Sequence, residues 1–585
     1  MVGTEELILE LTPKLGVLAE GLMNLQLPVG REAGEVFAGS VSVVDLGEMG
    51  GGEPIGALAG DVEYGIVGEV EEVGIGDLAI WGALLDGVDY FEHAALKIVK
   101  GHFVGGDFGV FEAEVKFSGL ARMKDGTWSG LSGKVLVGWS REGEQGDWRI
   151  DSWKTKKLRA TVSERLLFSE SLADALPRAG DYFRARRSLH QESAVRYYRE
   201  KKLWVPNDDF SPTAMNQKPA ISVADIDGDG FDDIYVMVRL GRNLLLRNRG
   251  DGTFEESAER WEIAVQGNTT CSLFADFDND GDQDLLLGRS LERCVYYENA
   301  GAWFREVEQE IALPPLAVSL AAADYNGDGL LDVYVSTYRP GDVGTGIGIE
   351  SGGSGKSWPE RFLSAEDAAE FRRRFERSRS GAVAHRGFLD QAGPANVLLV
   401  NGGGGSFRPA AESASLAVWK NTLQSTWGDF DDDGDPDLYV ANDWAKDHLF
   451  RNDGDEGFTD VAEEIGLDVF GFAMGAAWGD YDNDGRQDLY VSNMYSKAGR
   501  RIMAQVGGMD PALKISAEGN YLYRQVGGGR FEHVSGLEKP ALLVADAGWS
   551  WGGQLVDFDN DADLDVYALS GYFTAPEAVA SKVDL

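Results

Sequence analysis

A mainly β fold is predicted, a β-propeller of six blades preceded by an α+β domain, and three observations carry the prediction. An Asp-rich loop followed by a short apolar strand recurs six times. The 76 glycines call for many tight turns. The repeating unit is about 50 residues, room for the four short strands of a propeller blade. Length alone, 585 residues, would suggest about four domains of ~150 residues, but a repeat overrules that prior.

The loop pattern is Asp-x-Asp/Asn-x-Asp-Gly-x-x-Asp. It begins at Asp225 (DIDGDGFDDIYV), Asp276 (DFDNDGDQDLLL), Asp324 (DYNGDGLLDVYV), Asp429 (DFDDDGDPDLYV), Asp480 (DYDNDGRQDLYV) and Asp557 (DFDNDADLDVYA). A small or apolar run precedes each, so each unit reads strand A, acidic loop, strand B. The first five units continue with an apolar pair, usually Asn, a Gly-rich turn and Phe: LLRNRGDGTF, YYENAGAWF, LLVNGGGGSF, LFRNDGDEGF and LYRQVGGGRF. This is a hairpin between strands C and D, with Gly and Asn expected at the positive φ values of the turn.

Spacing fixes the count. From Asp225 to Asn248, Asp276 to Asn299 and Asp429 to Asn452 the interval is 23 residues, whereas Asp324 to Asn401 takes 77 and Asp480 to Gln525 takes 45. Both excesses fall between strands B and C, so the third and fifth units carry insertions, at 341–394 and 497–519. The sixth unit ends after strand B; Val195–Pro206 is expected to supply a missing strand by ring closure, and the count leaves room for a seventh, loop-less blade.

Side chains at loop positions 1, 3, 5 and 9, with the carbonyl of position 7, form the oxygen-rich shell that Ca²⁺ takes and that Mg²⁺, smaller and strictly octahedral, takes less readily. The first loop offers Asp225, Asp227, Asp229 and Asp233 with Phe231. The second offers Asp276, Asp278, Asp280 and Asp284 with Asp282. The third offers Asp324, Asn326, Asp328 and Asp332 with Leu330. The fourth offers Asp429, Asp431, Asp433 and Asp437 with Asp435. The fifth offers Asp480, Asp482, Asp484 and Asp488 with Arg486. The sixth offers Asp557, Asp559, Asp561 and Asp565 with Asp563. Ala562 replaces the position-6 glycine, so the sixth turn is expected to be strained and its site weaker. Up to six Ca²⁺ are expected, in a mainly structural role, because four carboxylates crowded together repel without a cation.

Composition narrows the partners. The net charge of −43 opposes binding to nucleic acid or anionic lipid, and six Ca²⁺ would only bring it to −31. No apolar stretch is long enough to span a bilayer, and Met1–Glu10 carries no basic leader region. Cys271 and Cys294 fall on strands A and C of one unit, ~9.6 Å apart across strand B, too far for a disulfide. Two reduced, buried thiols are expected.

These loops resemble the FG-GAP/VCBS repeats of integrin-α-like propellers. With GFAMGAAWGDYDNDGRQDLYVSNMYSKAGRRI and DVYVSTYRP, residues 220–573 resemble the bacterial cartilage-acidic-protein-like group. That resemblance implies a following ASPIC/UnbV domain, and the chain reaches Leu585 without one.

Connectivity places the acidic A–B loops on one face and both B–C insertions on the opposite one. The insertions are basic: Arg372, Arg373, Arg374 and Arg377 stand on an expected helix capped by Ser364, and Lys497, Arg500 and Arg501 on the second insertion. Two readings follow. These arginines either pair with the acidic body or form the face that binds an anionic glycan or protein ligand. The second makes the chain a secreted, periplasmic or cell-surface adhesion module, since extracellular calcium modules bind too weakly to fill in cytosol. The alternative is a calcium-dependent polysaccharide lyase or hydrolase using Tyr495, Lys497 and Arg500. Oligomeric state is not legible.

The N-terminal part, residues 1–170, reads as one amphipathic segment and then strands. The last three strands, ending in a Trp-rich one, resemble the nuclear-transport-factor-like cone fold. Residues 171–202 read as a basic helical linker before a propeller at 203–585. SGGSGKS (351–357) lacks the first glycine of a phosphate-binding loop, and the six histidines show no metal spacing. Trp427 and Trp478 are expected to pack between blades.

Overall fold

The computed structural model describes every residue except 1, 27–30, 52, 56–58, 106, 142, 144–145, 167, 208–209, 213–217, 341–357, 380–389, 496–509, 538 and 572–585. Contacts divide the chain into two compact units, one built on Met1–Ser169, the other beginning at Glu170.

In the first unit, helix Val2–Met23 carries Leu7, Leu11, Leu15, Leu18 and Leu22 at three- and four-residue intervals, and all five are buried. The helix packs on the first of four long strands, Val88–Phe103, Val110–Met123, Trp128–Ser140 and Arg149–Ser163, which pair antiparallel in chain order. Trp81 binds the layers together: its ring lies 4.7 Å from Phe117, and its indole N–H donates to Thr155 Oγ1 at 2.9 Å.

The second unit is six consecutive antiparallel sheets. The first runs Ile221–Ala224, Asp233–Val236, Leu244–Asn248, Phe254–Glu256; the second Thr269–Ala275, Asp284–Arg289, Val295–Asn299, Phe304–Val307. The third runs Ala317–Ala323, Asp332–Thr337, Val397–Asn401, Phe407–Pro409; the fifth Gly475–Gly479, Asp488–Ser492, Tyr521–Gln525, Phe531–His533. The fourth, Asn421–Gly428, Asp437–Lys446, His448–Asn452 and Phe458–Asp460, gains a fifth strand, Phe470–Phe472, on its long second strand. The sixth has two strands among the described residues, Ser550–Val556 and Asp565–Ser570.

The register is the same each time. Strand A ends one residue before the loop, strand B opens on the position-9 Asp, and the two face each other, as in Ala275↔Asp284 and Gly428↔Asp437. Each strand A packs on strand A of the next sheet, and the starts of five of them, with Met474 just ahead of the fifth sheet's, border one cavity of about 470 Å³. Across it Lys218 Nζ sits 5.5 Å from the Trp551 ring centroid, which brings the first sheet and the sixth together.

Two expectations are corrected. Val195–Pro206 is not a strand: Leu189–Arg199 is a helix, with Ser188 Oγ accepting from Gln191 N–H and an Arg196–Glu200 pair one turn apart. Nor do the hairpin asparagines take positive φ. They close strand C, and glycines such as Gly250, Gly403 and Gly527 make the turn. Trp427 and Trp478 do pack between sheets: the Trp427 indole N–H donates to Ala321 O at 3.1 Å, and Trp478 lies 6.3 Å from Tyr439. Cys271 and Cys294 are free, buried thiols.

Candidate metal sites

Each acidic loop is wound by its own carboxylates. Asp276 accepts from the N–H of Asp280 and Gly281, both at 3.0 Å; Asp225, Asp324, Asp429 and Asp480 repeat the pair at 2.8–3.1 Å. The position-5 carboxylate then accepts from the N–H of position 7: Asp229 from Phe231, Asp280 from Asp282, Asp328 from Leu330, Asp433 from Asp435, Asp484 from Arg486. Position 6 must be left-handed for the turn to close, with φ of 83–99° at Gly230, Gly281, Gly329, Gly434 and Gly485. Ala562 is held at φ 74°, and its N–H still donates to Asp557 at 2.9 Å. The predicted strain is present.

This winding gathers carboxylate oxygens. Asp225–Asp227–Asp229, Asp276–Asp278–Asp280, Asp429–Asp431–Asp437, Asp480–Asp482–Asp488 and Asp557–Asp559–Asp565 each offer three ligand atoms within 4.8 Å of one another. The third loop offers an amide at Asn326 instead of a third clustered carboxylate. Oδ1 of Asp227, Asp431 and Asp482, all at position 3, is buried and accepts no hydrogen bond among the described residues. A buried carboxylate oxygen without a donor is costly, and a cation among the three ligands would satisfy it. The donor set therefore fits a hard divalent metal ion. Arg247 pairs with Asp227 and Asp229, and Arg524 pairs with Asp482 at 2.6 Å. These strand-C arginines offset part of the loop charge, and the loop pattern itself did not reveal them.

Position 9 does more than offer an oxygen. Asp284 accepts from Phe277 N–H (3.3 Å) and from Asn299 N–H (2.8 Å), tying the loop, strand B and strand C together. Asp233, Asp437 and Asp488 repeat the arrangement, with strand-C partners Asn248, Asn452 and Gln525. Asp332 holds Asn401 in the same way. Burial pushes the carboxyls of Asp332 and Asp437 up to about 7 and those of Asp233, Asp284 and Asp488 up to about 6. In the sixth sheet Asp565 remains exposed.

The hairpin asparagine then reaches out of its own sheet. Asn299 Nδ2 donates to Ile226 O (2.9 Å), Asn401 Nδ2 to Phe277 O (2.7 Å) and Asn452 Nδ2 to Tyr325 O (2.9 Å). Each acceptor is position 2 of the preceding loop. In the fifth sheet Gln525 Nε2 reaches Phe430 O in the same way. In the second to fifth sheets one residue thus clamps the hairpin to the loop before it.

On the first insertion, helix Ala365–Arg379 is capped by Ser364, whose Oγ accepts from Asp367 N–H at 3.1 Å. Phe371 and Phe375 bury its inner face against Leu316 and Trp419. Arg372 pairs with Glu360, and Arg373 and Arg374 pair with Glu370. Arg374 also lies 5.2 Å over Trp419 and borders, with Arg377 and Lys420, a cavity of about 360 Å³. Tyr495 is buried. Lys497, Arg500, Arg501, SGGSGKS and His385 lie outside the described residues.

A model of the FG-GAP-like repeat matches residues 225–287 and 429–491. Among curated proteins the chain is 24% identical to cartilage acidic protein 1 of Mus musculus over 386 residues, covering 62% of this chain and 49% of that one. It is 24% identical to the Homo sapiens protein of the same name over 387 residues, covering 62% and 48%. The chain thus spans about half the length of these relatives. Among solved structures, a mutant of AofleA from Arthrobotrys oligospora aligns with TM-score 0.30 and 10% identity, over 60% of this chain and 80% of that one.

Proposed function

We propose that this chain, which carries FG-GAP-like repeats and is related to cartilage acidic protein 1, is a calcium-binding β-propeller that captures an anionic glycan or protein ligand outside the cytosol. The observation that carries the metal assignment is the set of buried position-3 oxygens without a donor inside three-carboxylate clusters. Loops of this register and oxygen count suit Ca²⁺ at positions 1, 3, 5 and 9, with the position-7 carbonyl completing the shell. Six sheets packed strand A to strand A around one cavity support a ring of six blades. For the first unit, a helix on a long, bulged antiparallel sheet supports the cone-fold resemblance.

The ligand face of this reading is the one opposite the loops, carrying Arg372, Arg373, Arg374 and Arg377 with Lys497, Arg500 and Arg501. Arg374 and Arg377 support it by meeting Lys420 and Trp419 at a cavity; the Glu360 and Glu370 pairs weigh against Arg372 and Arg373. Export suits the weak affinity of extracellular calcium modules, roughly 10⁻⁴–10⁻³ M. Among the described residues no helix is long and apolar enough to cross a membrane.

Calorimetric calcium titration should show binding that Asp431→Asn and Asp482→Asn each reduce by one site. A panel of immobilised acidic polysaccharides should then capture the calcium-loaded protein. Charge reversal at Arg373 and Arg500 should abolish capture while leaving the melting temperature in calcium unchanged. Full capture by that double variant would refute the ligand face, and absence of calcium binding would refute the metal assignment.

A further inference from the structure

The acidic loops share one pattern, yet strand C offers each a different neighbour. That neighbour is the residue just before the hairpin amide: Arg247, Glu298, Val400, Arg451 and Arg524 in the first five sheets. In all five, the backbone N–H of the amide residue donates to the position-9 Asp at 2.7–2.8 Å. This bond fixes how strand C lies against the loop.

Two loops carry guanidiniums on their own ligands. In the first sheet Arg247 pairs with Asp227 and, at 3.2 Å, with Asp229. In the fifth, Arg524 pairs with Asp482 at 2.6 Å and with Asp484 at 3.8 Å, and Arg486 at position 7 also holds Asp484. These carboxylates stand at positions 3 and 5, where a cation needs them. The side chains of Asp227, Asp482 and Asp484 are only 12%, 22% and 18% exposed, so salt screens these pairs less than surface ones.

The second loop is the opposite case. Among the described residues no Lys or Arg pairs with its carboxylates. Glu298 adds its negative charge at Asp278, Asp282 stands at position 7, and Arg305 is held away on Glu298 at 2.6 Å. In the fourth sheet Arg451 pairs at 2.7 Å with Asp453, which lies outside the loop. The third sheet has the uncharged Val400.

We infer that these neighbours grade the calcium sites, the second filling before the fifth, because guanidiniums already hold carboxylates that the cation must take. The inference rests on the reading of the loops as calcium sites. Ligand charge tunes calcium affinity over decades. A cation entering the fifth loop must displace Arg486 and Arg524 from Asp482 and Asp484, or sit beside them against like-charge repulsion. A cation entering the second loop meets carboxylates alone. The protein then responds over a span of calcium concentrations, and the arginines keep the empty first and fifth loops from repelling themselves apart.

The test is native mass spectrometry of the full chain at buffered free calcium from about 10⁻⁵ to 10⁻³ M, counting bound ions. Asp278→Asn and Asp482→Asn identify which ions belong to the second and fifth loops. The ion lost in Asp278→Asn should bind at lower calcium than the ion lost in Asp482→Asn. Arg486→Gln/Arg524→Gln should tighten the fifth site by about tenfold, and Glu298→Gln should loosen the second several-fold. In chelator the double glutamine variant should melt below the parent, because its empty loop has lost its counter-charge. Arg524→Lys, which keeps the charge, should bind calcium as the parent does. Should the double variant fail to fold, Arg524→Gln alone and Glu298→Gln carry the test. Unchanged affinity in the glutamine variants, or filling of the fifth site first, would overturn the grading while leaving the calcium sites standing. Absence of bound calcium in the parent would overturn both.

Discussion

Asn401→Ala tests whether the hairpin clamp, and not only metal, holds neighbouring sheets together. Asn401 is 2% exposed, and its amide makes three bonds: Nδ2 to Phe277 O at 2.7 Å, Nδ2 to Leu331 O at 3.3 Å, and Oδ1 from Gly403 N–H at 3.0 Å. Truncation leaves the buried Phe277 carbonyl unsatisfied, at about 1–3 kcal/mol, and removes two further bonds of about 0.5–1 kcal/mol each. The expected loss is therefore roughly 2–5 kcal/mol. Asn248 is the internal control. It closes strand C of the first sheet but is only half-buried, and its Nδ2 reaches Asp232 O of its own sheet at 3.0 Å. Asn248→Ala should cost about 1 kcal/mol, since the groups it frees can turn to water.

The measurement is urea denaturation in excess calcium, following the transition that calcium shifts. Asn401→Asp sharpens it. The substitution is isosteric and keeps the acceptor for Gly403, but it places a carboxylate against the Phe277 carbonyl and next to the fully buried Asp332. It should cost more than the alanine. If Asn401→Ala costs no more than Asn248→Ala, or the aspartate is tolerated, the clamp contributes nothing beyond its own hairpin and the reasoning fails.

Two further outcomes follow from the loops. Ala562→Gly removes the left-handed strain at φ 74°, so it should stabilise the protein by about 1 kcal/mol and tighten one calcium site; an unchanged melting temperature would show that the turn is unstrained. In calcium-free protein the Asp332 and Asp437 carboxyls, raised from 3.8 to about 7, hold protons that the unfolded chain has already released. Calcium-free stability should therefore fall as pH rises from about 4 to about 7. Calcium displaces those protons, so the rise in melting temperature on adding it should be larger at about pH 8 than at about pH 5. Scanning fluorimetry in chelator and in calcium checks this, and an equal rise at both values would refute it.

The sheets were legible because the loop leaves little freedom around it. An Asp at position 1 that accepts two N–H groups, and an Asp at position 9 that opens strand B, fix where A ends and where B begins. The Phe after each glycine-rich turn fixes strand D in the same way. The asparagine clamp was not legible, because its partner lies one repeat earlier, 73 residues away for Asn299 and Ile226, and local reading assigned the residue to its own turn. The one departure from Asn, Gln525, was a usable hint: a longer amide can conserve a distant bond, whereas a turn residue would not be replaced by Gln. Val195–Pro206 was misread because Val195, Tyr197, Tyr198 and Trp204 have strand propensity. The Ser188 cap and the Arg196–Glu200 spacing outweigh that propensity locally.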